Sequence, residues 1–335
     1  MPAVAIDIGS YTIKTIHAKP GKQPVVERVI ETFNSVGSAV PADEPTLERL
    51  TQVLSSLWSD NRFPTNDVRL TIPETVVSTK VIAIPPLNDA ELASAIQWQA
   101  EKHIPIPPDE LTLEYQVLYR PEKSSKENMR VLLVGARKNN IERYVEMFNA
   151  IGIEPTLVET QALSLVRSLG FTPEDPPTLI MHLGAQTMTL VVMRGDELQF
   201  VVSHLNGGQL LTKSISQSFS LTAEQAEQYK RTYGLDPSQF QGKVREAILT
   251  TMQVLTGEVQ KSMQFYANQA GGQTISRVIL SGGSAVMPGL VEHITEVLGV
   301  ETLVAAPFAS AKGALPTVLT TASFGPAMGL LMREV

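Results

Sequence analysis

The chain contains no cysteine. That excludes a disulfide framework, a zinc ribbon and thiol catalysis. No apolar run reaches the ~18 residues of a membrane-spanning helix. Positive charge is scarce, with 27 Lys and Arg against 34 Asp and Glu, so a general nucleic-acid-binding surface is not expected. No secretion signal is read ahead of the first strand, since Met1-Pro2 leads straight into it. These absences lead to the expectation of a soluble, cytoplasmic protein. What is present is ordinary for a globular chain: 335 residues, 43% apolar and 18% charged, enough for two domains.

The stretch that organises the rest is Val4-Ala5-Ile6-Asp7-Ile8-Gly9-Ser10-Tyr11-Thr12-Ile13-Lys14. Its short apolar residues read as a buried strand, Gly9 turns the chain, and a second strand returns through Ile13 and Ile16. Gly9 and Ser10 let main-chain N–H groups approach a phosphate closely. A carboxylate such as Asp7 is tolerable beside phosphates only with a cation between them, and Mg²⁺ held through waters meets that need. Lys14 supplies a point charge for a phosphate oxygen. An ordinary edge hairpin whose polar residues fall together is the alternative these residues leave open.

Further strands are expected at 24–33 and 68–72, with a helix from Pro45 whose apolar stripe is Leu47, Leu50, Val53, Leu54 and Leu57. Residues 75–150 then read as a separate small α+β unit: a strand at 76–84, a helix capped at Asn88-Asp89 and running to His103, strands at 111–119 and 129–136 around a polar loop at 121–128, and a helix at 139–150. The first of those helices has Leu92, Ala95, Ile96, Gln99 and His103 on its inward face. Trp98 falls off that stripe, where it meets a partner or packs under a neighbouring loop. A strand at 155–158 and a helix at 161–169 return to the first half, and Thr172-Pro173-Glu174-Asp175-Pro176-Pro177 reads as a hinge.

The second half opens as the first does. Strand, glycine turn and strand recur through 179–182, Leu183-Gly184-Ala185-Gln186 and 187–193, and Arg194-Gly195-Asp196 reads as hairpin turn chemistry. Gly207-Gly208 leads into helices at 209–219 and 223–232. A long helix follows with Val244, Ile248, Met252, Leu255, Val259, Met263 and Tyr266 on one stripe, weakened by Gly257. A buried strand at 278–280 runs into Ser281-Gly282-Gly283-Ser284 and Met287-Pro288-Gly289-Leu290, and a last helix starts near Pro326. Two glycine turns in equivalent places imply an internal duplication around a cleft, which nucleotides favour. The partition is 1–74 and 151–176 for the first half, 75–150 for the inserted unit, 177–208 and 275–335 for the second half, and 209–274 for a helical subdomain.

With these residues in place, the chain resembles the actin-like ATPase superfamily, the group of actin, the Hsp70 chaperones, sugar kinases and FtsA. The resemblance implies an α/β fold of duplicated, ribonuclease H-like domains around a site for ATP and Mg²⁺. Asp7, Gly9, Ser10, Tyr11 and Lys14 are similar to its first phosphate loop, with Asp7 the carboxylate that holds the metal through waters. Gly184, Ala185 and Gln186 sit where the second loop belongs, with Gly207-Gly208 following. Gly282, Gly283, Ser284 and Met287 look like the adenosine motif, and Gln161 begins a helix similar to that of the water-positioning, catalytic glutamine. Glu227 and Lys230 look like the ribose-side helix shared with FtsA, although their i, i+3 spacing also makes an ordinary surface pair.

Within that superfamily the closest likeness is to the PilM family of type IV pilus assembly proteins. Ala95-Ile96-Gln97-Trp98-Gln99-Ala100-Glu101-Lys102-His103-Ile104-Pro105, Glu114-Tyr115-Gln116-Val117 and Met263-Gln264-Phe265-Tyr266 carry it. The resemblance implies a cytoplasmic adaptor whose inserted unit receives the cytoplasmic tail of the membrane protein PilN. It would meet other pilus assembly proteins, reach the inner membrane only through partners, and leave homo-oligomerisation open. FtsA is the nearest competitor and ends in a membrane-binding helix, whereas this sequence stops at Val335, just after a helix resembling the closing one. A sugar kinase is the other alternative; it needs a catalytic base that is not evident here. One departure stands out: the superfamily places an Asp just before the second glycine turn, and here that residue is His182. Weak or absent ATPase activity is therefore expected, together with a histidine that a nearby triphosphate would tend to protonate.

Overall fold

The computed structural model describes residues 1–122, 125, 127–316 and 319–334. Residues 123, 124 and 126 of the expected polar loop lie outside the described residues, as does Val335. Strands β1 (Ala3–Ile8), β2 (Thr12–Lys19) and β3 (Val25–Phe33) form an antiparallel meander. Helix α1 (Glu44–Asn61), N-capped by Asp43, crosses to β4 (Val68–Ile72), parallel to β1. Strand β5 (Val77–Ile84), helix α2 (Asp89–His103), β6 (Leu111–Tyr119) and β7 (Met129–Arg137) build a small antiparallel sheet with one helix on it. Helix α3 (Lys138–Asn149), β8 (Leu157–Thr160) and α4 (Gln161–Leu169) complete the first half.

In the second half β9 (Thr178–Leu183), β10 (Met188–Arg194) and β11 (Glu197–His204) form another meander. Helices α5 (Gly208–Phe219), α6 (Ala223–Tyr233) and α7 (Lys243–Gln269) precede β12 (Arg277–Ser281), which lies parallel to β9. Helix α8 (Leu290–Leu298) leads to β13 (Glu301–Val304), parallel to β12. Strand β14 (Lys312–Gly313) crosses back to pair with β3, and α9 (Gly325–Leu331) follows.

The two large sheets share one topology. The orders β3-β2-β1-β4-β8 and β11-β10-β9-β12-β13 correspond strand for strand, and the register carries the correspondence to single residues. Asp7 lies opposite Lys14 and beside Thr71, just as His182 lies opposite Thr189 and beside Ser281. The turns close alike: Gly9 N donates to Thr12 O at 3.1 Å, and Gly184 N donates to Thr187 O at 2.9 Å.

Alternation along each strand assigns its faces. In β1, Val4, Ile6 and Ile8 pack with Leu50 and Leu54 of α1 and Tyr144 and Phe148 of α3. Ala3 and Ala5 face the other way, where their small side chains admit Met328 and Leu331 of α9. In β9, Leu179, Met181 and Leu183 join the core beneath α5 to α8, while Ile180 packs with Leu165 of α4 and Leu132 of the inserted unit. Asp7 and His182 therefore both lie on the sheet faces turned toward α4 and α9, at the C-terminal ends of equivalent strands, the usual place for ligands in open α/β sheets.

Two expectations are corrected. Helix α3 belongs to the first half, because Tyr144, Met147 and Phe148 are buried in the core with α1 and the Tyr144 hydroxyl donates to Ala39 O at 2.7 Å. The inserted unit thus ends at Arg137. On α2 the buried residues are Leu92, Ile96 and Ala100, followed by Ile104, and His103, the last residue of the helix, is exposed. In the helices at 209–274, Leu211, Ile215, Val244 and Ile248 pack in one cluster with the strands β9 and β10. In the stretch expected as a hinge, Thr172 N donates to Asp175 Oδ2 at 2.9 Å and Arg277 Nη2 to Asp175 Oδ1 at 2.6 Å.

Candidate functional site

Asp7 is buried at the end of β1. Its Oδ1 accepts from the Thr71 hydroxyl at 2.6 Å and from Gln161 Nε2 at 2.6 Å. Thr71 stands beside Asp7 because β4 runs parallel to β1, and Gln161 arrives because Thr160 caps α4 with the helix start aimed at the cleft. Both donors converge on one oxygen, which leaves Oδ2 for a hydrated cation. Lys14, half-buried on β2, reaches Thr12 O at only 3.3 Å. Burial pulls its pKa below the ordinary lysine value, with Asp7 and Glu31 opposing that shift. Gly9 has no alternative residue here: an added Cβ would lie 2.6 Å from Thr12 O.

Across the cleft, His182 Nδ1 and the Ser281 hydroxyl are 3.1 Å apart, the counterpart of the Asp7–Thr71 pair. Burial pushes His182 down to about 4, with Asp7 opposing and Lys14 assisting. In the ligand-free chain desolvation outweighs Asp7 and favours the neutral imidazole. Gly282 is required by its φ of +89° and because a Cβ there would meet Leu183 O at 2.5 Å. Gly283 has open space where its side chain would be.

Glu227 and Lys230, expected at the ribose, are paired at 2.6 Å on α6. Lys230 Nζ also donates to Gly208 O at 3.1 Å and Thr212 Oγ1 at 2.9 Å, so its three donors are used inside the protein. Burial raises Glu227, but Lys230, Thr212 and Arg231 outweigh it and hold the carboxyl below its usual range. Glu227 keeps acceptor capacity toward the cleft.

The cleft is lined by Asp7, Gly9, Ser10, Tyr11 and Lys14 from the first half, and by Gly184, Ala185, Gln186, Glu227, Lys230, Gly282, Gly283 and Ser284 from the second, with Gln161 between. Three expected residues do not line it. Gly207 and Gly208 lie behind the second turn, where a Cβ on Gly207 would strike Ala185 O and one on Gly208 would strike Ser284 Oγ. Met287 is buried in the second-half core against Gly234. Thr71 and Arg231 were not anticipated, and Ser281, expected with the Ser-Gly-Gly turn, stands beside His182. Strand register would have found Thr71; Arg231 reaches the cleft by being next to Lys230 on α6, a placement that depends on how α6 docks. Two contacts cross the mouth: Gln186 Nε2 donates to Gly37 O at 2.8 Å, and the Arg231 guanidinium lies 5.6 Å from the Tyr11 ring. With these in place the cleft encloses about 200 Å³.

A second concavity, of about 740 Å³, separates the inserted unit from the first half. Its floor is one face of the small sheet, the cross-strand pairs Thr112–Ala136, Glu114–Val134 and Gln116–Leu132. Its wall is Leu163, Val166 and Arg167 of α4 with Val158 and Glu159 of β8. Glu159 is buried and held by two arginines, Arg167 at 2.5 and 2.6 Å and Arg333 at 2.6 Å. The opposite sheet face carries Val131, Leu133 and Leu113 onto α2.

Residues 5–334 match the family model for the type IV pilus assembly protein PilM. The chain belongs to the PilM family. Among solved structures, a PilM-PilN type IV pilus biogenesis complex superposes on this PilM-family chain with a TM-score of 0.83 at 23% identity, over 98% of this chain and 97% of that one. The ethanolamine utilization protein EutJ of Carboxydothermus hydrogenoformans follows at 0.63 and 14%, over 99% and 89%. MreB5 of Spiroplasma citri bound to ADP gives 0.57 and 14%, over 98% and 94%. Among curated proteins, the cell division protein FtsA of Streptococcus pneumoniae is 26% identical over 197 residues, 53% of this chain and 43% of FtsA. The match thus spans less than half the length of that relative. The fold is actin-like, as its duplicated topology requires.

Proposed function

We propose that this PilM-family protein is a nucleotide-dependent adaptor of the type IV pilus assembly machinery, holding ATP between its halves and the cytoplasmic tail of a PilN-like inner-membrane protein in the groove beneath its inserted unit. The observation that carries the nucleotide half is the pair of equivalent strand–glycine turn–strand units, Gly9 and Gly184, that face each other with Gly283 open between them. Backbone N–H groups in such turns suit phosphates, and Asp7 Oδ2 with Lys14 suits a hydrated Mg²⁺ and a phosphate oxygen. When bound, Mg²⁺ would neutralise phosphate charge; Asp7 would orient its waters, and Thr71 would orient Asp7. At about 200 Å³ the cleft is smaller than the ~300–1,000 Å³ usual for ligand sites. Admission of a nucleotide accordingly means parting Gln186 from Gly37 and Arg231 from Tyr11.

The groove supports the partner half. It combines apolar residues (Leu132, Val134, Leu163 and Val166) with the Glu159–Arg167–Arg333 cluster, a lining suited to a peptide with apolar and charged side chains. No described helix is long and apolar enough to cross a membrane, so the reading has the protein at the inner membrane through that partner. Calorimetry with ATP and Mg²⁺ tests the first half: wild type should bind in the micromolar to millimolar range, Asp7→Ala should bind more weakly, and Gly283→Arg should not bind. No heat with wild type would overturn the reading. Capture of a PilN-like tail should be lost in Val134→Arg or Val166→Glu while ATP binding persists. The FtsA similarity motivates a second reading, a filament protein of the membrane surface; binding to lipid vesicles with no partner present would favour it. Phosphorylation of a sugar panel would favour a kinase.

A further inference from the structure

The cleft and the groove share one helix. Gln161, the first residue of α4, donates to Asp7 Oδ1 at 2.6 Å in the cleft. Leu163, Val166 and Arg167, at helical spacing on the same nine-residue helix, form the groove wall. At 1.5 Å per residue the whole helix is only about 13 Å long, and it moves as a unit. Its far side rests on α9 through backbone: a Cβ on Gly325 would meet Leu165 Cδ1 at 2.4 Å, and one on Gly329 would meet Ser164 O.

A buried carboxylate joins the start of α4 to the inserted unit. Glu74 lies between β4 and β5; its side chain lines neither cavity, although its neighbours Pro73 and Thr75 line the cleft. Its Oε1 accepts from Ala162 N, an otherwise orphaned donor of the helix N-terminus, at 3.1 Å, and its Oε2 accepts from Thr79 Oγ1 on β5 at 3.0 Å. One side chain thus ties the end of α4 that touches the cleft to the sheet that forms the groove floor. Burial raises the Glu74 pKa, and the Ala162 N–H, Thr79 and Thr160 oppose that shift.

We propose that α4 and Glu74 couple nucleotide occupancy of the cleft to the geometry of the groove. This rests on the nucleotide-binding reading above. The two states differ in a definite contact. Without ligand, the Gln161 amide occupies Asp7 Oδ1. A nucleotide with its hydrated cation at Asp7 Oδ2 offers the Gln161 amide a phosphate oxygen as a competing acceptor, releases it from Oδ1, and frees the N-terminus of α4 to shift. Glu74 passes the shift to β5, and the floor formed by Val134 and Ala136 moves relative to the β8 part of the wall, Val158 and Glu159. A ligand that favours one groove geometry must then change nucleotide affinity by the same factor as nucleotide changes its own.

The chain has no cysteine, so one introduced thiol can be labelled without ambiguity. Thr112→Cys on the groove floor, carrying an environment-sensitive fluorophore, reports groove geometry; calorimetry on the same sample reports ATP binding. Saturating ATP and Mg²⁺ should shift the emission of the labelled chain. Adding Glu74→Ala should abolish the shift with ATP affinity retained within about threefold, and Glu74→Gln, which keeps an acceptor and a side chain of the same length, should restore it. Thr79→Val cuts only the link to β5 and covers the case in which Glu74→Ala does not fold; it too should abolish the shift. ATP binding with unchanged emission overturns the coupling and leaves the nucleotide reading standing, as does a shift that survives in Thr79→Val. Absence of ATP binding in the labelled wild type overturns both.

Discussion

At the scale of single residues, His182 decides the chemistry. It occupies the position of Asp7 in the second sheet, and Ser281 stands to it as Thr71 stands to Asp7. An aspartate at 182 would find a hydroxyl donor already in place, and Mg²⁺ waters would have a second acid. A lost outer-shell partner typically costs ~10–100-fold in metal affinity or activity. Phosphate release at saturating ATP and Mg²⁺ should therefore fall below about 1 s⁻¹, the low end of ordinary enzyme rates, and His182→Asp should raise it. Faster wild-type turnover would refute this. The same residue sets an acid limit on stability. Its folded pKa of about 4 lies below the ordinary 6.5, so between those values the unfolded chain binds the extra proton. Stability is lost as pH falls from about 6.5 and levels off below about 4, a total on the order of 3 kcal/mol. Denaturant melts at pH 7 and pH 4.5 should differ less in His182→Asn than in wild type.

At the scale of elements, the α4–α9 contact and α7 make opposite predictions for glycine. Helices α4 and α9 meet backbone to backbone, with the Ser164 hydroxyl donating to Pro326 O at 2.6 Å. A Cβ on Gly329 would sit 1.7 Å from Ser164 O, so Gly329→Leu must push the helices apart. Overpacking of that kind costs roughly 1–3 kcal/mol, and calorimetric melting should show Tm lowered by roughly 1–4 °C. Gly257 lies mid-helix in α7 with nothing near its absent side chain. Gly257→Ala should stabilise by about 0.5–1 kcal/mol through the backbone entropy it removes from the unfolded chain. A lower Tm for that variant would mean that the position is occupied by something not apparent from its surroundings.

At the scale of the whole molecule, the inserted unit is a bracket between the halves. Leu132, Val81 and Val134 on its second face pack against α4 and the β10–β11 hairpin. Arg130 fastens it there, donating to Glu197 Oε2 at 2.7 Å and Leu198 O at 2.6 Å. Removing residues 75–137 outright would expose that core, so a groove is better tested by point variants. Arg130→Ala should weaken the docking by about 1–3 kcal/mol, the range for hydrogen bonds to charged groups. Faster hydrogen exchange at β5 and β11, with β1 and β4 unchanged, would report it; uniform acceleration would mean that the unit docks as part of one cooperative fold.

Much of this was legible in the chain itself. The strand–glycine–strand pattern around Asp7 and around Gly184 is local, since a turn's needs are met by its own residues, and it announced both the duplication and the cleft. Apolar periodicity placed α1 and α7 for the same reason: Leu50, Leu54, Ile248 and Met252 are spaced by the helix that carries them. Tertiary structure decided what depends on neighbours distant in sequence. Nothing near residue 144 says that Tyr144 packs against α1, and so α3 was assigned to the wrong unit. Met287 looked like part of a nucleotide motif until the strand before it fixed which way it points. The protonation of His182 is set by how completely the two sheets bury it, against the charges of Asp7 and Lys14, and the joint at Glu74 exists only because α4, β4 and β5, up to 88 residues apart, end at one point. Local pattern is encoded by adjacent residues; burial, register and charge environment are properties of the packed whole.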